Sequence, residues 1–257
     1  MLLAIDTSTS VAGMALVEGE RLVTELTWHA GNRHGTDLFA RLTQLFETYA
    51  VAPEQLDGIA VATGPGSFNG VRVALASAKS LAFALDRPLY GVPTLDAIAW
   101  GASFVQGTVW AILEAGRGQL YAAAYDAPCA NPAEWAPRDG YAILTPAEVA
   151  TRVTQSVVFC GEWRAETRAA LADALGSRAR FAATLEAGRA GWLARLALAR
   201  AAAGRPDEPA ALEPLYLRRP AITRSTKVAL PPGEGEGDSA RPTTATGGEG
   251  ASGAIHG

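Results

Sequence analysis

The chain of 257 residues has only two cysteines, Cys129 and Cys160, and they form no Cys-x-x-Cys pattern. A disulfide framework is excluded as the basis of the fold, and this usage fits a reduced, cytoplasmic setting. Long apolar runs are missing too. No stretch approaches the ~18–20 residues that a membrane helix needs. The N-terminus meets an acid, Asp6, directly after Leu2-Leu-Ala-Ile5. It lacks the basic start and longer apolar core of a signal peptide, so secretion is not expected. Positive charge is in deficit, with 22 Lys and Arg against 26 Asp and Glu and a net charge of -4. That balance argues against a protein that grips a nucleic-acid backbone alone. Lysine is nearly absent, since 20 of the 22 basic residues are Arg, a skew that reads as coding bias. Apolar residues are plentiful at 49%, enough for a sizeable core. At ~100–200 residues per domain, the length allows one large domain or two modest ones.

Composition and periodicity divide the chain. Residues 228–257 hold eight Gly, three Pro and no aromatic, and read as a disordered tail. Residues 1–100 read as a first lobe and 101–227 as a second. Leu2–Ile5 is a short apolar strand. Val11–Val17 and Glu20–Trp28 form a hairpin around Glu18-Gly19. Leu38, Phe39, Leu42, Leu45, Phe46 and Tyr49 mark one face of a helix over Thr36–Tyr49. Asp57–Thr63 is a continuous apolar strand, as expected when both sheet faces are covered. Gly64–Gly70 is a Gly-rich turn, followed by a helix over Val71–Leu85, a strand at Leu89–Val92 and a helix from Pro93. The second half restarts this order. Strands at Thr108–Leu113 and Gln119–Tyr125 precede a strand near Tyr141–Leu144 and a helix opening at Thr145-Pro146. A strand at Val157–Cys160 and helices near Arg164–Leu175 and Ala187–Ala203 complete it. The Val71–Leu85 helix is apolar almost all round. It is either central in its own domain or covered by a partner.

Few residues suggest chemistry. Gly64-Pro-Gly-Ser-Phe-Asn-Gly70 lies between strand and helix, where phosphate loops occur. It has no terminal Gly-Lys-Ser/Thr, and its third glycine is one place too late for a dinucleotide loop. It reads as a tight turn with room for helix packing, or as a weak anion site. Asp6-Thr7-Ser8-Thr9-Ser10 could hold a metal-phosphate or satisfy a turn through side-chain bonds to the backbone. His29 and His34 are five apart and cannot share a helix face, and His256 lies in the tail. No zinc spacing appears. Ser67 has no Gly-x-Ser-x-Gly setting, and neither cysteine looks activated.

Several motifs together resemble the TsaB (YeaZ) family of tRNA threonylcarbamoyladenosine biosynthesis. These are Leu3-Ala-Ile-Asp-Thr-Ser-Thr9, Gly64-Pro-Gly-Ser-Phe-Asn-Gly-Val-Arg72, Ala78-Lys-Ser-Leu-Ala82 and Gly91-Val-Pro-Thr-Leu-Asp-Ala97. The likeness covers most of residues 1–100 and continues weakly at Leu120-Tyr121 and Pro214-Leu-Tyr-Leu-Arg218. It implies an α/β fold of two lobes, like actin, sugar kinases and the chaperone ATPases, with a ribonuclease H-like sheet in each. It also implies a non-catalytic homologue of TsaD, the enzyme that transfers the threonylcarbamoyl group to adenosine 37 of tRNA. TsaD-type proteins carry His-x-x-x-His after a Gly-Val strand end. Here Thr94 and Ile98 stand in those places, so no metal is expected.

By the same resemblance, the chain pairs through its first-lobe helices. The contact candidates are Leu38, Leu42, Leu45, Val71, Ala74, Leu75 and Ala78. A TsaD-type subunit is the expected partner, with a TsaE-type ATPase in the cycle, tRNA reached through the complex, and a homodimer when the chain is alone. No cofactor is expected for the chain itself. ATP or ADP at the complex interface is the alternative, with Asp6, Thr7, Gly64 and Gly66 as weak candidate contacts. Two departures bear on it: Glu114-Ala-Gly-Arg117 replaces the family's Asp-Ala-Arg, and Asn69 stands where Thr is common. The competing reading is a small-molecule kinase or ATPase of the same fold, with Asp6 near Mg²⁺ and phosphates. A peptidase reading lacks both nucleophile and metal set.

Overall fold

The computed structural model describes residues 1–30, 34–182 and 188–218. The side chain of His34, His256 and the tail over 228–257 lie outside them. The first half contains β1 (Leu2–Asp6), β2 (Val11–Glu18), β3 (Arg21–His29), α1 (His34–Thr48), β4 (Gly58–Ala62), α2 (Phe68–Leu85), β5 (Leu89–Val92) and α3 (Thr94–Trp100). The second contains β6 (Gly107–Gly116), β7 (Gln119–Ala127), β8 (Ala142–Leu144), α4 (Pro146–Arg152), β9 (Val157–Glu162), α5 (Ala165–Leu175), β10 (Ala179–Phe181) and α6 (Arg189–Ala202). The first sheet runs β3-β2-β1-β4-β5, and the second runs β8-β7-β6-β9-β10. In each, three antiparallel strands are extended by two strands parallel to the first. The two sheets therefore repeat one topology without sharing a sequence, as the restarted element order predicts.

Alternation along the central strands decides what packs where. In a strand, successive side chains point to opposite faces. Leu3 and Ile5 of β1, with Ile59 and Val61 of β4, face α1 and α2. Leu2, Ala4, Ala60 and Ala62 face the other way, toward α3 and α6. Small side chains on that inner face let α6 lie close to the sheet. The inner faces of both sheets share one core, in which α3 and α6 lie between the sheets. On the outer face of the second sheet, Trp110, Leu120, Leu144 and Phe159 pack with Val149 of α4 and Leu171 of α5.

The structure corrects the lobe boundary. In the expected second lobe, 101–227, the second sheet ends at Phe181. Helix α6 packs on β1, β2, β4 and β5 of the first sheet, as well as on α3. The physical reason is its apolar stripe, Ala190, Leu193, Ala194 and Ala197, which matches the Ala-rich face. The chain then stays on the first lobe. Asp207 N donates to Leu89 O at 2.8 Å, and Leu215 N donates to Thr63 O at 2.7 Å.

Helix starts follow local chemistry. Thr145 and Glu148 form a reciprocal capping box on α4, with bonds of 3.2 and 2.7 Å. Helix α2 begins at Phe68, three residues before the apolar run, because the Ser67 hydroxyl accepts from Gly70 N at 3.2 Å.

Candidate functional site

Strand ends β1 and β4 meet the second lobe at a cleft of about 490 Å³. Ser8, Thr9 and Ser10 line it from the first lobe, beside Gly66 and Ser67. Glu114, Tyr121, Glu162 and Arg164 line it from the second. A phosphate-binding protein of this architecture would place an acid and two loops here. The chain has both loops on the cleft wall, while the acid, Asp6, is buried behind them.

The two first-lobe loops are bolted to each other. Ser67 N donates to Ser8 O at 2.6 Å, and the Thr7 hydroxyl donates to Gly70 O at 2.6 Å. A Cβ on Gly66 would stand 2.0 Å from Ser8 O, and one on Gly70 would stand 1.9 Å from Thr7 O. These glycines allow backbone to touch backbone, which is the turn-and-packing alternative of the sequence reading. Gly64, at φ +97, has the left-handed backbone that favours glycine, and its carbonyl accepts from Thr94 N at 2.7 Å. Thr7 is fully buried. Of the four candidate nucleotide contacts, Gly66 alone reaches the cleft wall.

Asp6 is fully buried and already satisfied. Its Oδ1 accepts from Ser8 N at 2.8 Å and from the Ser8 hydroxyl at 2.5 Å. Its Oδ2 pairs with Arg189 Nε. Arg189 is itself buried, and it also donates to Glu162 Oε1 at 2.6 Å and to the Thr9 hydroxyl at 2.9 Å. The Thr9 hydroxyl is 2.7 Å from the same Glu162 oxygen. One guanidinium thus joins the end of β1 to the end of β9, across the cleft. A planar fork with five donors suits this task better than a lysine would. Mg²⁺ does not fit Asp6 as it stands, because both carboxylate oxygens already hold hydrogen-bond donors. The kinase-like placement of Asp6 is corrected on that ground.

The second-lobe acid is committed as well. Glu114 Oε1 accepts from Arg164 N at 3.0 Å and from the Thr167 hydroxyl at 2.7 Å, at the start of α5. It therefore acts as a helix-start acceptor. Glu25 does the same for α6, accepting from Ala190 N at 3.0 Å and Gly191 N at 3.2 Å. Burial raises the Glu25 carboxyl above its usual range, while these backbone donors oppose the rise. Thr94 and Ile98, at the positions compared with the histidine pair, are both buried in the core. Cys160 is buried, and burial pushes its thiol far up, so it is not an activated nucleophile.

The proposed contact residues also need correcting. Leu38, Leu42, Leu45, Val71, Ala74, Leu75 and Ala78 all face inward and are buried within this chain alone. All but Val71 belong to the core beneath the first sheet. They are spaced for one helix face, and the sheet takes that face. The outward faces of the same helices carry other residues. Phe83 of α2 is 89% exposed, Phe39 of α1 is 53% exposed, and Tyr49 just beyond α1 is 43% exposed. Arg72, Ala76 and Ser80 lie exposed along the Phe83 side of α2. Sequence reasoning missed Arg189 and Glu162, whose role depends on contacts across more than 150 residues. Phe83 was legible as the one large aromatic in the later turns of α2.

Comparisons with known proteins fit this geometry. A family model described as "TsaD: tRNA N6-adenosine threonylcarbamoyltransferase" matches residues 29–133. The tRNA threonylcarbamoyladenosine biosynthesis protein TsaB of Bacillus subtilis is 29% identical over 177 residues, covering 69% of this chain and 77% of the relative. TsaB of Escherichia coli is 29% identical over 164 residues, covering 63% and 68%. The solved structure of YeaZ from Pseudomonas aeruginosa matches with a TM-score of 0.69 at 28% identity, covering 84% of this chain and 99% of that one. In its motifs, its doubled sheet topology and these relatives, the chain is similar to the TsaB (YeaZ) family.

Proposed function

We propose that the chain is the non-catalytic subunit of a complex that makes threonylcarbamoyladenosine at position 37 of tRNA, and that it pairs with and activates a TsaD-type transferase. The observation that carries this reading is the Asp6–Arg189–Glu162 network, which fills the place where a catalytic member of the fold would need a free acid. The exposed aromatic residues of α1 and α2 supply the second half of the reading. Phe83, Phe39 and Tyr49 offer apolar surface to the matching helices of a homologous partner. Burying that face in one conformation of the partner biases it toward its competent state. The same face forms a homodimer when the partner is absent. A TsaE-type ATPase acts on the assembled complex in the cytoplasm. The acidic chain reaches tRNA through its partner. The chain needs no cofactor of its own, and any ATP or ADP sits between subunits rather than on Asp6. Among the described residues no helix is long and apolar enough to cross a membrane.

The test is a tRNA-modification assay with the transferase alone and with this chain added. Modification should rise on addition, and the chain alone should turn over no nucleotide. Nucleotide turnover by the isolated chain that Asp6→Asn abolishes would replace this reading with the kinase or ATPase one.

A further inference from the structure

A second cavity, of about 360 Å³, opens between α3, α6 and the turn at residues 132–136. Its lining shares no residue with the interlobe cleft. Asp96 of α3 enters it and is only 9% exposed. Both phenols donate to one of its oxygens, Tyr125 to Oδ1 at 2.7 Å and Tyr141 to Oδ1 at 2.8 Å. The other oxygen, Oδ2, accepts no hydrogen bond among the described residues. It is also not one of the sealed polar atoms left without a partner, so it keeps solvent access, and Asp96 is the acid on the cavity lining.

The wall around this carboxylate is preformed. Trp135 Nε1 donates to Asp96 O at 3.1 Å, and its ring stacks on Tyr125 with centroids 4.9 Å apart. Val92, Pro93 and Leu196 add apolar surface. Two arginines complete the lining. Arg200 is matched by Asp207 at 2.8 Å, and it also donates to Gly91 O at 2.6 Å. Arg205 is exposed on the cavity lining and makes no ion pair among the described residues. The cavity therefore presents a buried acceptor, an apolar wall and an uncommitted cation. Small-molecule sites have this composition: mostly apolar lining with a few placed polar groups. A ligand that satisfies all three carries an ammonium and an acid group on a short carbon frame.

We propose that this cavity binds a small zwitterion of the amino-acid class, with its ammonium on Asp96 Oδ2 and its carboxylate toward Arg205. The charged and titratable groups around the ammonium position are Asp96, Tyr125, Tyr141 and Arg200, with Asp207 and Arg205 beyond. Both phenols are held above their usual range, chiefly by burial. Burial also pushes the Asp96 carboxyl up to about 6, against the pull of the two phenol bonds. Its protonation below that pH removes the partner of an ammonium.

The test is titration calorimetry on the full chain. The probes are glycine, β-alanine, 4-aminobutyrate and the common α-amino acids, with ethylamine and acetate as half-ligands. At least one zwitterion should bind at millimolar concentration or tighter, and acetate should not. Binding should weaken about tenfold between pH 7.5 and pH 5, following ionisation of Asp96. Asp96→Asn should abolish it, and Arg205→Ala should weaken it while leaving the melting temperature in place. Because Arg205 is exposed, that variant keeps the test valid even if Asp96→Asn disturbs folding. Binding by no zwitterion overturns the proposal, and so does binding indifferent to pH and to both substitutions.

Discussion

Arg189 and Asp6 are both buried, and removing one leaves the other uncompensated. Breaking such a pair costs about 3–5 kcal/mol, whereas replacing both partners with apolar groups is often close to neutral. Arg189→Met should therefore destabilise the chain by about that amount, and the further change Asp6→Leu should recover much of the loss. Urea unfolding of the two single variants and the double variant checks this. Additive losses would show that the pair is not the unit. Asp96 is a buried carboxylate that makes stability depend on pH. Its folded value, about 6, lies above the unfolded one. The native state then holds a proton that the unfolded state has released, so this group makes stability fall as pH rises from about 4 to 6. Below that window the contribution is absent as a penalty, and above it the penalty is complete. Asp96→Asn should flatten the profile and raise stability at pH 7.5 by up to about 3 kcal/mol. A melting curve series from pH 4 to pH 8 reads it directly.

At the scale of elements, the loops at the ends of β1 and β4 depend on backbone contact. Gly66→Ala would place a methyl 2.0 Å from Ser8 O, where a carbonyl cannot yield as a flexible side chain would. Overpacking typically costs about 1–3 kcal/mol, and this site should reach or exceed the upper end. Gly19→Ala meets nothing within 4 Å and tests the backbone effect alone, since its φ is +57. Thermal melts of the two variants should rank Gly66→Ala far below Gly19→Ala. Much of this level was legible in the sequence. Leu89–Val92 matched to the residue, and Thr145-Pro146 marked the start of α4, because short-range pattern and capping chemistry decide them. Strand β10, Ala179–Phe181, was missed because its Ala-Arg-Phe carries no apolar run, unlike the equally short β8. Helix α6 was placed in the wrong lobe for a different reason. Its apolar stripe fits any covered face, and only the Ala-rich side of the first sheet selects it. The interface candidates failed in the same way: periodicity found the apolar face of α1 and α2, and the sheet already covered it.

For the whole molecule, two sheets of one topology are held together by a shared core and one buried guanidinium. The acids beside the cleft, Asp6, Glu114 and Glu162, are held in hydrogen bonds, and the outer helices keep aromatic residues in solvent. Those observations are what the proposed function rests on, a subunit that associates rather than one that carries the chemistry. Ala78 is fully buried, so Ala78→Arg should unfold the chain and report nothing about pairing. Phe83→Arg is the informative substitution, because an 89% exposed side chain contributes little to the folded monomer. The most direct measurement is light scattering on a sizing column, with a TsaD-type subunit mixed with the wild-type chain or with Phe83→Arg, after circular dichroism has shown equal folding. The wild-type chain should co-elute with the subunit, and the variant should elute apart from it. Co-elution of Phe83→Arg as complete as that of the wild type, or no complex with either, would contradict the account.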